Sequence, residues 1–280
     1  MRKFLIFGLL SLCFLAVLTV YQLLKFSDKA LHITFCDVDQ GDAIHIRTPN
    51  GDDILVDGGP NAKVLDCLSN HMPFWDRQIE AVYMTHPDAD HFTGLIGVIK
   101  SYKINYFGTS NAPKATGVFE ELNRQLEIHQ IKKNFVYKGD RVRTKDGFTM
   151  TILWPTHEFI NNPSQDTNDY SLVQKLEYGK FTVLLTGDVP SVYLNSIMPG
   201  LERLDVFKPP HHGSKTGVDE FTFQYVVPKY AVISSGRKNK YGHPNKQVID
   251  VLSDNKIPYK NTATDGDIEI VSDGEKWWVK

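Results

Sequence analysis

Apolar residues run unbroken at the start of this chain and then break into short patches. Residues 4–24 contain no charge and few polar side chains. Twenty-one residues at about 1.5 Å each make a helix of about 30 Å, long enough to cross a bilayer. Beyond it the pattern changes to strand-like patches at 31–35, 43–47 and 53–56, separated by Asp39-Gln40-Gly41-Asp42 and Asn50-Gly51-Asp52, which read as tight turns. Helix and strand patterns then alternate. Helices are predicted over 64–72, 92–101, 117–128, 189–198, 218–226 and 246–253. Strands are predicted over 79–84, 104–107, 149–154, 171–177, 181–186, 204–208, 230–235, 267–271 and 276–279. Two similar halves of mixed elements predict two stacked sheets with helices outside, in one body spanning 28–280 behind a segment 1–27.

Charge sharpens this division. Arg2 and Lys3 precede the apolar run and Lys25 follows it. Without these three, 28 of the 31 basic residues remain against 33 acidic ones, so the body carries about −5. Such a balance excludes broad electrostatic adhesion to duplex DNA, and any anionic substrate must be held by local features. The exit Tyr21-Gln22-Leu23-Leu24-Lys25 lacks the small residues of a signal-peptidase site, which favours an uncleaved membrane anchor over a cleaved signal. Basic residues on the short N-terminal side place the body outside the cytoplasm, single-pass or, after cleavage, secreted. Of the three cysteines, Cys13 lies in the apolar run. Cys36 and Cys67 read as two buried thiols rather than a bridge.

The densest chemistry lies at Thr85-His86-Pro87-Asp88-Ala89-Asp90-His91, where two imidazoles and two carboxylates follow an apolar strand and precede a helix. Ligand-type residues recur wherever an apolar strand ends: Asp57, Asp188, the pair His211-His212, and His243. A basic run, Arg237-Lys238-Asn239-Lys240, adjoins Tyr241-Gly242-His243, and Lys208 and Lys215 flank the histidine pair. In an acidic body, cations gathered there favour a phosphate-bearing substrate. His32 and His45 read as surface or satisfied core histidines, His71, His129 and His157 as solvent-facing, and Trp154, Trp277 and Trp278 as packing aromatics. Asp166 and Asp169 read as loop residues.

The ordered set Asp37-Val38-Asp39-Gln40-Gly41-Asp42, Val56-Asp57-Gly58-Gly59, His86-x-Asp88-x-Asp90-His91, Asn168-x-x-Ser171-Leu172, Thr186-Gly187-Asp188, His211-His212-Gly213-Ser214 and Tyr241-Gly242-His243-Pro244 resembles the metallo-β-lactamase superfamily. Within it, the set is similar to the hydrolase domain of the competence protein ComEC, and spans nearly all of the chain beyond residue 27. Bacterial phosphorylcholine esterases carry a similar set. The resemblance implies an αββα four-layer sandwich preceded by one membrane helix, with two divalent metal ions. His86 and Asp88 would bind the first, Asp90 and His91 the second, Asp188 would bridge both, and His212 would complete the second. Many relatives place a third histidine on the first metal before the bridging aspartate. Here His129 and His157 lie in that interval without the expected context, and Asn168 sits where the subfamily has its Asn-x-x-Ser motif. The first site is therefore richer in oxygen, and manganese competes with zinc. Two cations about 3.5–4 Å apart lower the pKa of a shared water to roughly 7, and the resulting metal-bound hydroxide attacks phosphorus or a carbonyl. Asp57 would orient a ligating imidazole, and His211 and His243 would hold a substrate oxygen or protonate the leaving group. Asn168, Ser171, Lys208, Ser214, Lys215, Arg237, Lys238 and Tyr241 are the substrate-binding candidates.

The expected activity is that of an extracytoplasmic phosphodiesterase acting on DNA, with single-stranded DNA as a candidate partner. The resemblance leaves two alternatives, a phosphorylcholine-type esterase acting on surface polymers and a non-catalytic subunit of a competence assembly. One membrane segment does not make a DNA-uptake pore of the kind the many-helix ComEC proteins carry. The basic loop and Asp88 argue against β-lactam hydrolysis.

Overall fold

Side-chain alternation decides where each strand faces. In the strand Ala81–Met84, Ala81 and Tyr83 pack into one buried cluster, Val82 and Met84 into another. The strand Phe181–Leu185 divides likewise, Val183 and Leu185 to one side and Leu184 to the other. A strand apolar on both faces must be covered on both, which requires two stacked sheets with helices outside.

The computed structural model describes residues 2–113, 116–161, 164 and 166–280, and it has that arrangement. The first sheet holds eight strands in the order Trp277–Val279, Ile268–Ser272, Leu31–Phe35, Ile44–Arg47, Asp53–Val56, Ala81–Met84, Phe107–Thr109 and Lys133–Phe135. The second holds seven: Tyr259–Asn261, Tyr230–Ile233, Val206–Phe207, Phe181–Leu185, Val173–Tyr178, Thr149–Trp154 and Arg141–Arg143. Helices Lys63–His71, Leu95–Ser101 and Gly117–Ile128 cover the outer face of the first sheet through Leu68, Val98 and Leu122. Helices Ser191–Ile197 and Lys246–Asp254 cover the second through Leu194, Val248 and Leu252. Ile33, Phe35, Ile44, Val183 and Leu185 fill the space between the sheets. Asp53–Val56 pairs in parallel with Ala81–Met84, as do Phe181–Leu185, Val206–Phe207 and Tyr230–Ile233 in succession. The carboxyl ends of these parallel strands carry the polar loops.

Several elements depart from the expected pattern. The strand predicted over 79–84 breaks at Glu80, whose N–H donates to the Asp53 carbonyl (2.8 Å), and Gln78–Ile79 pairs with Lys103–Ile104 in a separate ribbon. The helix predicted over 92–101 is two helices, Ala89–Phe92 and Leu95–Ser101, divided at Thr93-Gly94. There the backbone presses on the Asp57 loop so closely that a Cβ on Gly94 would lie 1.9 Å from the Gly58 carbonyl oxygen. The helix predicted over 218–226 is a run of turns, because the Asp219 carboxylate accepts from the Phe221 N–H (3.0 Å) and the Thr222 hydroxyl (3.2 Å). A side chain that captures its own backbone competes with helix formation. The polar edge strands Lys133–Phe135, Arg141–Arg143 and Tyr259–Asn261 were not predicted, since they bury too little to show an apolar period.

Cys36 and Cys67 are not free thiols but a disulfide. The end of the first strand and the helix Lys63–His71 lie face to face, with the two Cα atoms 5.9 Å apart, within bridging range. The helix Arg2–Lys25 stands outside the sandwich; its segment Ile6–Lys25 has mean hydropathy 2.2, and none of its most apolar window is buried in the body.

Candidate metal centre

Four strand ends deliver the candidate residues to one edge of the sandwich. Asp57 follows Asp53–Val56, His86 follows Ala81–Met84, Asp188 follows Phe181–Leu185, and His211 and His212 follow Val206–Phe207. The backbone turns sharply at two of these deliveries: Asp57, His211 and His212 have φ of 60°, 52° and 57°. Side chains other than glycine rarely occupy this region, and strain of this kind persists only where surrounding structure enforces it.

Three of the buried histidines, His86, His91 and His212, are oriented alike. His91 Nδ1 lies 2.8 Å from Asp57 Oδ2, and His212 Nδ1 lies 3.0 Å from the Ser234 carbonyl oxygen. His86 Nδ1 lies 3.0 Å from Thr85 Oγ1, which itself donates to Asp57 Oδ2 (2.7 Å). Acceptors at every Nδ1 hold a ring proton there, so Nε2 is the nitrogen that each ring has left to offer a cation. Those Nε2 atoms point into a common space. His91 Nε2 is 3.2 Å from Asp188 Oδ1, and His212 Nε2 is 3.3 Å from Asp90 Oδ2 and 3.5 Å from Asp188 Oδ2. His86 Nε2 is 3.9 Å from Asp88 Oδ2, and the His86 and His91 rings are 4.2 Å apart.

The donors converge without satisfying one another. Among the described residues, Nε2 of His86, His91 and His212, Oδ1 of Asp188 and Oδ1 of Asn168 are buried with no hydrogen-bond partner. Leaving five such atoms dry costs about 1–3 kcal/mol each, and folded proteins rarely tolerate it. Asp42, His91, Asp188 and His212 each offer a donor atom within 4.8 Å of the others. A divalent cation accepts lone pairs from imidazole and carboxylate together, so the residues fit the ion that the resemblance implies.

Electrostatics agree with that fit. Burial disfavours a charged His212, but Asp188 and Asp42 outweigh it and lift its pKa to about 9. Against the same penalty, His91 is held well above the ordinary imidazole range by Asp188 and Asp57. Burial and the neighbouring His91 push His86 down to about 4, and burial and His211 push His243 to about 4. His91 and Asp188 hold each other charged: burial would raise the Asp188 pKa, and the imidazoles of His91 and His212 pull it well below the carboxylate range. Negative charge thus collects at the centre and is balanced by protons that a cation can replace.

The remaining candidates sort by exposure. Asp57, expected to orient a ligating imidazole, is fully buried and touches His91 and Thr85, not the open rim. His211 is partly exposed, 3.8 Å from Asp188, and its ring centroid is 5.5 Å from that of His243. Tyr241, 60 % exposed, stacks on His243 at 5.8 Å. Lys215, Arg237 and Lys238 are exposed, although Arg237 Nε donates to the Ala263 carbonyl (2.8 Å). Asn168 sits beside Thr167, whose hydroxyl donates to Asp88 Oδ1 (2.7 Å).

Three substrate-binding candidates are placed otherwise. Lys208 is fully buried, its ammonium paired with Asp42 and donating to the Gly187 carbonyl (3.1 Å), so it cannot reach a ligand outside. The Ser171 hydroxyl accepts from the Asp188 N–H (3.1 Å), setting the aspartate's backbone. Ser214 is buried against Thr216 (3.0 Å). Asp42 is the residue that sequence reasoning missed, read as part of a turn. Its carboxylate is held charged by Lys208 and lies 3.4 Å from His212 Nδ1. A signal existed: a lysine inside the apolar run 204–208 requires a buried acid. His71 also differs from its solvent-facing expectation, half-buried and 3.4 Å from Asp267.

Comparison with known proteins agrees with this architecture. No protein-family model matches the chain. It is 29 % identical over 277 residues, 94 % of its length, to Recombination protein 2 of Haemophilus influenzae, and 30 % identical over 201 residues, 69 % of its length, to ComE operon protein 3 of Bacillus subtilis. The chain spans only 31 % and 24 % of these two relatives. Among solved structures, the metallo-β-lactamase fold protein YhfI of Bacillus subtilis superposes with a TM-score of 0.59 at 15 % identity, covering 90 % of this chain and all of the other. A metallo hydrolase from Ignicoccus hospitalis gives 0.55 at 14 % identity, over 85 % of this chain and 98 % of the other. Zn(2+)-bound PqqB from Methylobacterium extorquens gives 0.50 at 10 % identity, over 82 % and 96 %. The chain has the metallo-β-lactamase fold, and it is similar in sequence to competence proteins.

Proposed function

We propose that this chain is a membrane-anchored, metal-dependent phosphodiesterase with its body outside the cytoplasm and DNA as its substrate. The observation that carries the hydrolase reading is the convergence of unpartnered Nε2 and carboxylate atoms at one sheet edge. His86, Asp88, Asp90, His91, Asp188 and His212 would hold two divalent ions, zinc or manganese, with the Asn168 amide oxygen adding to the oxygen-rich side. When bound, such ions activate water and neutralise charge on a phosphoryl group. The chain's own residues do the rest. Asp57 and Ser234 fix the imidazole tautomers of His91 and His212. His243, kept neutral, and His211 stand at the open rim, where one can hold a proton for a leaving oxygen. Lys215, Arg237 and Lys238 supply local positive charge in an acidic body, and Tyr241 offers an exposed ring.

Similarity to competence proteins supports nucleic acid over other phosphodiesters. The test is metal analysis of the purified full chain alongside turnover of single-stranded DNA and of a choline phosphodiester. About two ions per chain and hydrolysis of DNA are expected, with Asp90→Ala inactive but folded. Full activity after metal stripping overturns the mechanism, and preference for the choline ester overturns the substrate.

A further inference from the structure

A polar cavity lined by none of the metal-centre residues lies where the N-terminal helix meets the body. Its volume is about 260 Å³. Lys25 and Phe26 at the helix end, Lys29 just beyond, Arg47 and the C-terminal Lys280 contribute to its wall. Asp28 and Glu269 also line it, and Arg47 is already paired with the buried Asp53 and with Asp76 (3.5 Å). The acids are occupied: His32 contacts Asp28 (2.9 Å) and Glu269 (2.6 Å), and Lys280 also reaches Glu269 (3.2 Å). His45, another wall residue, binds Asp53 through Nε2 (2.7 Å) and leaves its buried Nδ1 without a partner. Among the described residues Lys25 and Lys29 form no ion pair, and these two ammonium groups suit an anion.

The surroundings identify where that anion comes from. The membrane-length segment ends at Lys25, so the cavity opens within a turn of the point where the helix leaves the hydrocarbon. Lys25 Nζ donates to the Asn70 carbonyl (2.8 Å), and Arg47 lies 5.7 Å from the Phe26 ring and 3.5 Å from Asp76. These contacts bring the loop after the helix Lys63–His71 beside the anchor. That loop exposes Phe74 and Trp75, 43 % and 45 % accessible, as an edge-to-face pair at 4.9 Å. Exposed aromatics beside a membrane helix are typical of the headgroup level, where basic side chains meet lipid phosphates.

We propose that this face seats the body on the membrane, with Phe74 and Trp75 in the interfacial layer and the phosphate of an anionic phospholipid headgroup in the cavity. The seat fixes the height and orientation of the metal centre above the bilayer. It rests on the helix crossing the membrane and makes no use of the hydrolase reading.

The test uses the full chain in detergent, titrated calorimetrically with short-chain phosphatidylglycerol, short-chain phosphatidylcholine and inorganic phosphate. Saturable binding of phosphatidylglycerol is expected, roughly fivefold weaker for each of Lys29→Gln and Lys280→Gln, both surface changes that leave the core intact. Equal affinity for phosphatidylcholine, or binding indifferent to both substitutions, overturns the pocket. Phosphate binding as tightly as phosphatidylglycerol overturns the lipid assignment in favour of a free anion. In vesicles containing brominated lipid, the emission lost on Trp75→Phe should be the strongly quenched component; an unquenched Trp75 overturns the seat.

Discussion

Among the described residues, two histidine–carboxylate clusters are built oppositely. Beside the anchor, His32, His45 and His71 meet Asp28, Glu269, Asp53 and Asp267 in pairs, the first three at 2.6–2.9 Å. At the metal centre the same residue types bring their Nδ1 atoms to partners and leave every Nε2 bare. Composition does not separate the two. Hydrogen-bond satisfaction does: the anchor cluster closes on itself except at His45 Nδ1 and holds the fold, whereas the one whose donors share a single focus is prepared for something else. Side chains supply the histidines, but the second layer of acceptors decides their use.

Substitutions can break this contrast. The largest effect is expected for Asp188→Ala, which removes the carboxylate facing His91, His211 and His212. Turnover should fall by about a thousandfold or more, while circular dichroism shows the parent's secondary structure retained. A variant retaining a tenth of the activity would mean that the focus is not where chemistry occurs. Next is Lys208→Met. It leaves the Asp42 carboxylate buried and unpaired, and should cost about 3–5 kcal/mol in urea unfolding. A loss below about 1 kcal/mol would show that Asp42 has another source of compensation.

Asp57→Asn tests the second layer itself. The amide can still accept from Thr85 but no longer carries the charge that favours the His91 N–H, so metal affinity should fall about 10–100-fold with the fold retained. Equilibrium dialysis against a metal indicator reads this directly, and unchanged affinity would remove Asp57 from the centre.

The smallest effect belongs to the closed cluster. Glu269, although partly buried, is pulled down to about 2 by His32 and Lys280, whereas Glu269 and Asp28 raise His32 against its burial. The depressed carboxylate contributes stability that is complete above its ordinary value of 4.5 and lost as pH falls through about 2. The raised imidazole contributes stability that is complete below 6.5 and lost as pH rises through its higher folded value. Both are therefore complete between these ordinary values. Glu269→Gln should destabilise by about 1 kcal/mol near pH 5.5, with the difference shrinking towards pH 2. A constant difference across that range would mean that the loss is packing, not charge.

What the sequence determined on its own was whatever travels with local period or contiguous ligands. The apolar run 4–24, the strands Leu31–Phe35, Asp53–Val56 and Thr149–Trp154, and the helix Gly117–Ile128 were all legible, because each buries a face whose repeat is printed in the chain. The loop His86 to His91 was legible because its donors are adjacent. Tertiary structure alone decided the Asp42–Lys208 pair, 166 positions apart, and the Cys36–Cys67 bridge between strand and helix. It also decided that Lys208 and Ser171 support the centre from within. A side chain's partner across the fold depends on register and layer packing, and local pattern carries neither.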